Sequence, residues 1–249
     1  NAQWGILGGF IPHEGGVRPG FFLVPRADYK IEDDWNPMGL AGTGSKSITV
    51  ENAFVPSHRA VAFADLLVGN GPGTSVNTNP IYRQPMLAVV PQCLVSPALG
   101  IARGALDCFV DQVSNRKTRG AVAGGNNSMA AFTTVQMRVA EATASIDAAT
   151  LMIHRDLKET ADIVMNGGKV DVEMRMRNRL THSFAVKLLT NAVDCLFNAA
   201  GGSALGMHHP LQRFWRDIHA VSSHISLNWD VVGAMYGQHT FGLEPKGQY

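Results

Sequence analysis

The sequence predicts an α+β protein in which a β-rich N-terminal part precedes an antiparallel four-helix bundle. Three observations support this: short β-branched and aromatic runs fill the first 66 residues, helical periodicity fills residues 85–239, and a stretch rich in Gly, Pro and Asn lies between them. With 249 residues, of which 45% are hydrophobic, the chain can bury a sizeable core. It therefore has the composition of one or two globular domains.

The β-rich part has three candidate strands, WGILGGF, GFFLVPR and SITVENAFVP, which are separated by Gly, Pro and Asp turns. The sequence opens on strand residues without an initiator methionine, which is typical of a piece of a longer chain. We therefore expect residues 1–68 to be part of a β-domain. A linker is expected at residues 69–84 and the helical bundle at residues 85–249.

Four stretches with apolar residues at helical spacing predict the bundle. They cover residues 85–113, 129–165, 172–199 and 210–239. Pro91 and Pro97 are expected kinks in the first, and Ser222 and Ser223 an expected break in the fourth. Glycine pairs follow the second and third stretches and are expected to end them.

Charge and cysteine content exclude several classes of partner. The 21 basic and 20 acidic residues are interspersed, with a formal net charge of +1, so neither nucleic acid nor an anionic membrane is expected. No apolar run is expected to be long enough to span a membrane. Cys93, Cys108 and Cys195 have no metal-ligand spacing and are expected to be buried free thiols. The cytoplasm is the expected compartment.

A glycine-rich loop, GLAGTGSK at residues 39–46, precedes a candidate strand. Glycines let backbone N–H groups approach a ligand, and Thr43, Ser45 and Lys46 add hydroxyls and a charge, so a phosphate or cofactor loop is one interpretation. The loop lacks Walker spacing and does not lead into a helix. A plain turn between strands is therefore the alternative.

Arg116 and Arg119 follow the first bundle helix in the stretch RKTRG. Cations there complement the helix dipole, and the alternative is an arginine clamp on a phosphate. Farther along, the adjacent His208 and His209 precede Pro210. Neighbouring side chains do not readily face one ion, and no carboxylate adjoins them, so no metal site is predicted.

The stretch WRDIHAVSSHISLNWD, residues 215–230, holds His219 and His224. Ser222 and Ser223 are expected to act as an N-cap, which would put His224 in the first turn of the following helix. At a helix N-terminus the dipole disfavours imidazolium. A neutral histidine there would be free to donate a hydrogen bond.

Three segments resemble the acyl-CoA dehydrogenase fold. MGLAGTGSKSITVENAFVPSHRAV is similar to the end of its middle β-domain, LGIARGALDCFVDQ to the first helix of its C-terminal bundle, and NAAGGSALGMHHPLQRFWRD to its Gly-Gly, Pro, Arg-Asp signature. They cover nearly the whole chain in the family's order. The resemblance implies an acyl-CoA dehydrogenase-like fold, with Gly201 and Gly202 of the signature at the cofactor.

The branch of this family depends on the catalytic base. Acyl-CoA dehydrogenases carry a glutamate shortly after the Arg-Asp, whereas the matching position here is near Ile225, and the alternative glutamate site holds Lys117 or Gly120. Without that base a thioester substrate lacks its proton acceptor. The segments GTGSK, FVP and WRD-H-A-x-x-x-H-I-x-L-N-W-D instead resemble the two-component flavin-dependent monooxygenases that hydroxylate phenols.

This second resemblance implies an oxygenase component that receives reduced FMN or FADH₂ from a separate flavin reductase. The flavin would form a C4a-hydroperoxide with O₂ and hydroxylate a small aromatic substrate, while the protein positions it and excludes water. A homotetramer is also implied. The residue that activates the phenol would lie in an N-terminal part that this sequence lacks.

The resemblance also implies roles for individual residues. His224 would hydrogen-bond the hydroperoxide, with His219 as the other candidate, and Arg116 or Arg119 would hold flavin phosphate. Thr43 and Ser45 would line the flavin or substrate cleft. Two alternatives stay open: an acyl-CoA dehydrogenase-type flavoenzyme or flavin N- or S-oxygenase of the same fold, and a helical assembly module that has lost the flavin.

Overall fold

The computed structural model describes residues 2–117 and 128–249. Its N-terminal part contains two small antiparallel sheets, and its C-terminal part is helical, as the sequence predicts. The strands are β1 (Trp4–His13), β2 (Gly16–Pro25), β3 (Lys30–Ile31), β4 (Ile48–Thr49) and β5 (Ala60–Ala62). The helices are α1 (Phe63–Leu67), α2 (Met86–Val89), α3 (Gln92–Ser114), α4 (Thr133–Met165), α5 (Val172–Ala200), α6 (Pro210–Ser222) and α7 (Trp229–Thr240).

β1 and β2 form a hairpin that pairs His13 with Gly16 at its closed end and Trp4 with Pro25 at its open end. Its turn requires glycine, because Gly15 has φ +89°. β5 adds to β2, while β3 and β4 form a separate two-stranded sheet. The predicted strand SITVENAFVP is wrong beyond β4, because Asn52 adopts a left-handed conformation with φ +51° and ends the extended run.

The helix boundaries follow local capping chemistry. α4 ends where Gly167 takes φ +77° and the Gly168 N–H donates to the Ile163 carbonyl at 2.9 Å. α5 begins where the Asp171 side chain accepts the Met174 N–H at 2.8 Å. Because only six residues separate α4 from α5, these two helices run antiparallel and pack side by side.

The core lies between α3, α4, α5 and α6. Its fully buried large side chains include Phe109, Leu189, Leu196, Leu211 and Ile218. The predicted four-helix bundle is therefore confirmed, with the fourth stretch divided into α6 and α7. The division of the chain at residues 68 and 84 stays a prediction.

The segment Met86–Ser114 corrects one expectation, because its 29 residues are long and apolar enough to cross a membrane, with a mean hydropathy of 1.5 over an 18-residue window. The same composition suits a core helix of a bundle, and Val95, Ala98, Ala102 and Phe109 are all fully buried in this one. Pro91 separates α2 from α3, whereas Pro97 lies inside α3.

The three cysteines are free thiols, but they are not buried as expected. Cys93 is exposed, since it lies in the first turn of α3 on the side away from the core, and Cys108 and Cys195 are half-buried. Burial is the main cause that raises the pKa of both half-buried thiols above its usual value. Their thiols are therefore less reactive than a free cysteine.

Candidate active site

His224 lies in the turn between α6 and α7. The predicted break after α6 is confirmed, but its mechanism and the placement of His224 are not. The hydroxyls of Ser222 and Ser223 both donate back to the His219 carbonyl, at 3.0 and 2.8 Å, and so stabilise the end of α6. Asn228 caps α7 instead, so His224 precedes that helix by a whole turn and lacks its dipole.

The ring of His224 is oriented by its own turn. Its Nδ1 accepts the Ser226 N–H at 3.2 Å, so the neutral imidazole carries its proton on Nε2. The side chain is exposed, and within residues 2–117 and 128–249 no group bonds to Nε2. His224 therefore presents an N–H donor outward, as the sequence predicted, but the turn sets this polarity instead of a helix dipole.

His219 is engaged within the bundle. Its Nε2 lies 2.8 Å from Oδ1 of Asp194 on α5, and the same oxygen accepts the Trp215 Nε1–H at 2.7 Å. The rings of Trp215 and His219 are 4.5 Å apart, and Phe197 stacks on Trp215 at 5.3 Å. Asp194 thus joins α5 to α6 through two side chains, and the ring of His219 is fixed by it.

We expect Asp194→Ala to destabilise the bundle by about 1 kcal/mol, because two N–H donors lose their acceptor in a partly solvated place. The control is Asp162→Ala, which removes only an exposed pair with Lys158 on α4. Urea unfolding of the two variants measures the difference. An equal loss in both would show that the Asp194 contacts contribute no more than a surface ion pair.

Arg116 reaches across to the end of α5. Its Nη1 donates to the Ala200 carbonyl at 2.8 Å, so it complements the dipole of α5 and not that of its own helix, which corrects the first interpretation. Gly201 follows with φ +70°, and no atom of the described residues, chain neighbours apart, lies within 4 Å of a Cβ added at Gly201 or Gly202. The Arg116 side chain therefore lies next to the open turn at Gly201 and Gly202. Arg119 lies outside the described residues.

His209 belongs to the same region. Its Nδ1 accepts the Leu211 N–H at 3.2 Å and so caps α6, which requires the neutral ring. Burial, and then the charges of His208 and Arg116, lower the pKa of His209 below its usual value. In the part of the chain that the structure describes, no group of three or more His, Cys, Asp or Glu residues could hold a metal ion.

The glycine-rich loop packs against the side of α6. Leu40 N–H donates to Oδ1 of Asp217 at 2.7 Å, and Nη1 of Arg216 donates to the Met38 carbonyl at 2.5 Å. Thr43 Oγ1 donates to the Leu40 carbonyl, and Ser45 Oγ lies 2.9 Å from Thr43 Oγ1. The Arg-Asp pair of the stretch WRD therefore holds the loop.

A cavity of about 280 Å³ lies between the loop and α6. It is lined by residues 38–43 with Arg213, Arg216 and Asp217, and so includes Thr43 but not Ser45. Thr43 is thus placed at a cavity and Ser45 beside it.

The predicted site residues fall into three places along α6. Arg116 and the Gly201–Gly202 turn lie at its N-terminal end, the glycine-rich loop lies along its side, and His224 follows its C-terminal end. Thirteen residues of helix span about 20 Å, so one chain does not gather all of them around one point. Asp194 and Asp217 were missed, because each acts on an element distant in sequence.

Comparison with known proteins identifies relatives along the whole chain. The oxygenase component of an FADH(2)-dependent resorcinol hydroxylase from Rhizobium sp. (strain MTP-10005) is 44% identical over 100% of this chain and 63% of its own length. The crystal structure of 3-HSA hydroxylase from Rhodococcus sp. RHA1 has a TM-score of 0.90 and 35% identity, over 99% of this chain and 63% of that one.

A third similar protein is XiaF from Streptomyces sp., whose structure contains FADH2 and glycerol. It has a TM-score of 0.87 and 27% identity, over 98% of this chain and 61% of that one. The chain thus spans about 63% of the length of the curated relative. The family described as acyl-CoA dehydrogenase, C-terminal domain, matches residues 92–229. This confirms the resemblance read from the sequence, and the chain belongs to that family.

Proposed function

We propose that this chain is part of the oxygenase component of a two-component flavin-dependent monooxygenase, which hydroxylates a phenolic substrate. The observation that carries the proposal is the turn at residues 223–228, whose one titratable side chain is His224. It presents an N–H donor where an acyl-CoA dehydrogenase needs a carboxylate base. The relatives named as hydroxylases support the same choice.

The residues present fit a reduced flavin. Arg116, which bonds the Ala200 carbonyl, offers a positive charge for a phosphate. The open Gly201–Gly202 turn offers accessible backbone. Thr43 and Ser45 offer hydroxyls beside the cavity on α6. Reduced flavin, when bound, activates O₂ and supplies the oxygen atom. FADH₂ is the proposed form, because the resorcinol hydroxylase and XiaF are both named with it.

His224 would act on the oxygen held at the flavin. Its Nε2–H would donate a hydrogen bond to this oxygen and so oppose its loss as H₂O₂, and the Ser226 N–H, which bonds Nδ1, keeps the ring in the donating tautomer. Asp194 already holds His219 at Nε2, so His219 is the second candidate.

The proposal also covers the assembly of the whole protein. A separate flavin reductase supplies the reduced flavin, since the resorcinol hydroxylase relative is named as an oxygenase component. A small phenol is the proposed substrate, with resorcinol as the first test compound. A homotetramer, measured by light scattering, and a cytoplasmic location complete the proposal.

Replacing His224 tests the proposed chemistry. A hydrogen bond to a charged group is worth about 1.5–3 kcal/mol. We therefore expect His224→Ala to lower the ratio of hydroxylated product to released H₂O₂ roughly tenfold or more. Product is measured by mass with resorcinol, and H₂O₂ by a peroxidase assay.

The matched control is His154→Ala, which changes an exposed histidine on α4 and is expected to leave the coupling unchanged. Unchanged coupling in His224→Ala would move the role to His219 or away from this turn. Oxidation of an acyl thioester without oxygen incorporation would favour the dehydrogenase alternative. Absence of flavin binding would favour an assembly module.

A further inference from the structure

Two basic side chains of α5 are enclosed without hydrogen-bond acceptors. Arg179 is 5% exposed and His182 is fully buried. Nε and Nη1 of Arg179, and both ring nitrogens of His182, make no hydrogen bond with any group in residues 2–117 or 128–249. Burying an unpaired charge costs several kcal/mol. We therefore expect the N–H groups of Arg179 and His182 to bind a hydrogen-bond acceptor.

The neighbouring polar side chains of α5 have partners. Asn178 donates to Thr160 at 2.8 Å, and Ser183 donates to the Leu227 carbonyl at 2.9 Å. Arg175 Nε, Arg177 Nε and Asn178 Oδ1 are also buried without a hydrogen-bond partner, but each of these side chains bonds through another atom. The side chains of Arg179 and His182, by contrast, make no hydrogen bond to the described residues.

The chain supplies no carboxylate to neutralise Arg179. The buried Asp156 is engaged with Arg155 and Arg177, at 2.8 and 3.4 Å. No ion pair of the described residues includes Arg179, and neither Asn1 nor residues 118–127 include Asp or Glu. A guanidinium does not lose its proton in proteins.

His182 does not add a second charge. Burial, and then the charge of Arg179, lower the pKa of His182 from 6.5 to about 3, so the ring is neutral at physiological pH and offers one N–H donor. Burial alone lowers the pKa of Arg179, with no acid acting in the opposite direction. Arg179 and His182, three residues apart on α5, together offer one positive charge and several buried N–H donors.

We propose that Arg179 and His182 form a binding site for a small monovalent anion of the carboxylate or halide class. Such an anion matches the single charge and accepts hydrogen bonds from the N–H groups, whereas a dianion would bury a second, unpaired negative charge. Arg179 is 21 residues from Ala200 on the same helix, which is about 30 Å. The site is therefore separate from the Arg116 region and independent of the proposed function.

Bromide is the probe, because its anomalous scattering identifies it in a crystal. Crystals of the wild-type chain soaked in sodium bromide are expected to show an anomalous peak within hydrogen-bonding distance of the Arg179 guanidinium. A structure with bromide at other places but none beside Arg179 would overturn the proposal.

Thermal unfolding tests the site in solution. Bromide at about twenty times its dissociation constant is expected to raise the unfolding midpoint of the wild type by about 5 °C, because it binds only the folded chain. The rise is expected to be the same in Arg103→Met, which removes an exposed arginine of α3, and to be lost in Arg179→Met.

Arg179→Lys keeps the charge but loses the planar set of donors, and is expected to show a smaller rise. If Arg179→Met does not fold, Arg179→Lys is compared with the wild type instead. An equal rise in the wild type and in every variant at Arg179 would show a general salt effect and contradict the site.

Discussion

Lowering the pH from 7 to 5 is expected to reduce the free energy of unfolding by about 2 kcal/mol through His182 alone. Its imidazole is fully buried, and burial followed by the charge of Arg179 lowers its pKa from 6.5 to about 3. The unfolded chain therefore takes up this proton first. The contribution is complete above pH 6.5 and is lost as the pH falls toward about 3, where the total reaches roughly 5 kcal/mol.

Urea unfolding at pH 7, 6 and 5 measures this effect in a range where most carboxylates stay ionised. His182→Leu replaces the imidazole with an apolar side chain of similar size. It is expected to abolish most of the dependence of the free energy of unfolding on pH. His209 titrates in the same direction, since its pKa is also lowered, so a small slope remains. His154→Ala, at an exposed position, is the control. Equal slopes in the wild type and His182→Leu would contradict the burial argument.

The long helices could be predicted because their signals are local. Apolar spacing predicts α4 and α5 nearly to their ends, and the Gly167–Gly168 turn and the Asp171 cap act within five residues of the groups they bond. The strand at residues 47–56 failed for the opposite reason. Its β-branched residues favour extension, but the left-handed Asn52 interrupts it, and no pattern of side chains shows that conformation.

The site was predicted in part. The sequence selected His224 and its donating polarity, but serines and asparagines are all good N-caps, and only the fold shows that Asn228 caps α7. The serines bond back to His219 instead. Of the two interpretations of Arg116, the dipole of its own helix is wrong, because its acceptor, the Ala200 carbonyl, is 84 residues away. The pair of Asp194 with His219 likewise joins two helices, and such contacts leave no periodic signal.

The Arg-Asp pair of α6 has a physical explanation that its sequence pattern alone does not give. Arg216 and Asp217 bond the backbone of the glycine-rich loop from two sides, through the Met38 carbonyl and the Leu40 N–H. Trp35 adds a third bond to the Leu40 carbonyl at 3.1 Å. The loop that holds Thr43 and Ser45 is therefore positioned by the helix that ends just before His224. A change that displaces the glycine-rich loop should therefore also disturb α6.

Gly39→Ala is expected to produce this displacement and to destabilise the chain by about 3 kcal/mol. A Cβ at Gly39 would lie 2.2 Å from the backbone oxygen of Arg216 and 2.6 Å from its carbonyl carbon. The backbone of α6 does not yield, so the loop must lift away. Crowding of this kind costs about 1–3 kcal/mol, and the bonds to Arg216 and Asp217 weaken in addition.

The same loop supplies the control. Gly42→Ala adds a Cβ that has no atom within 4 Å in the part of the chain that the structure describes, its chain neighbours apart, and it is expected to leave the free energy of unfolding nearly unchanged. Urea unfolding and titration with reduced FAD are measured on both variants. If Thr43 and Ser45 contact the flavin, Gly39→Ala loses affinity and Gly42→Ala retains it. Equal stability of the two variants would show that the loop is not held against α6, because only a free loop accommodates a methyl group at Gly39.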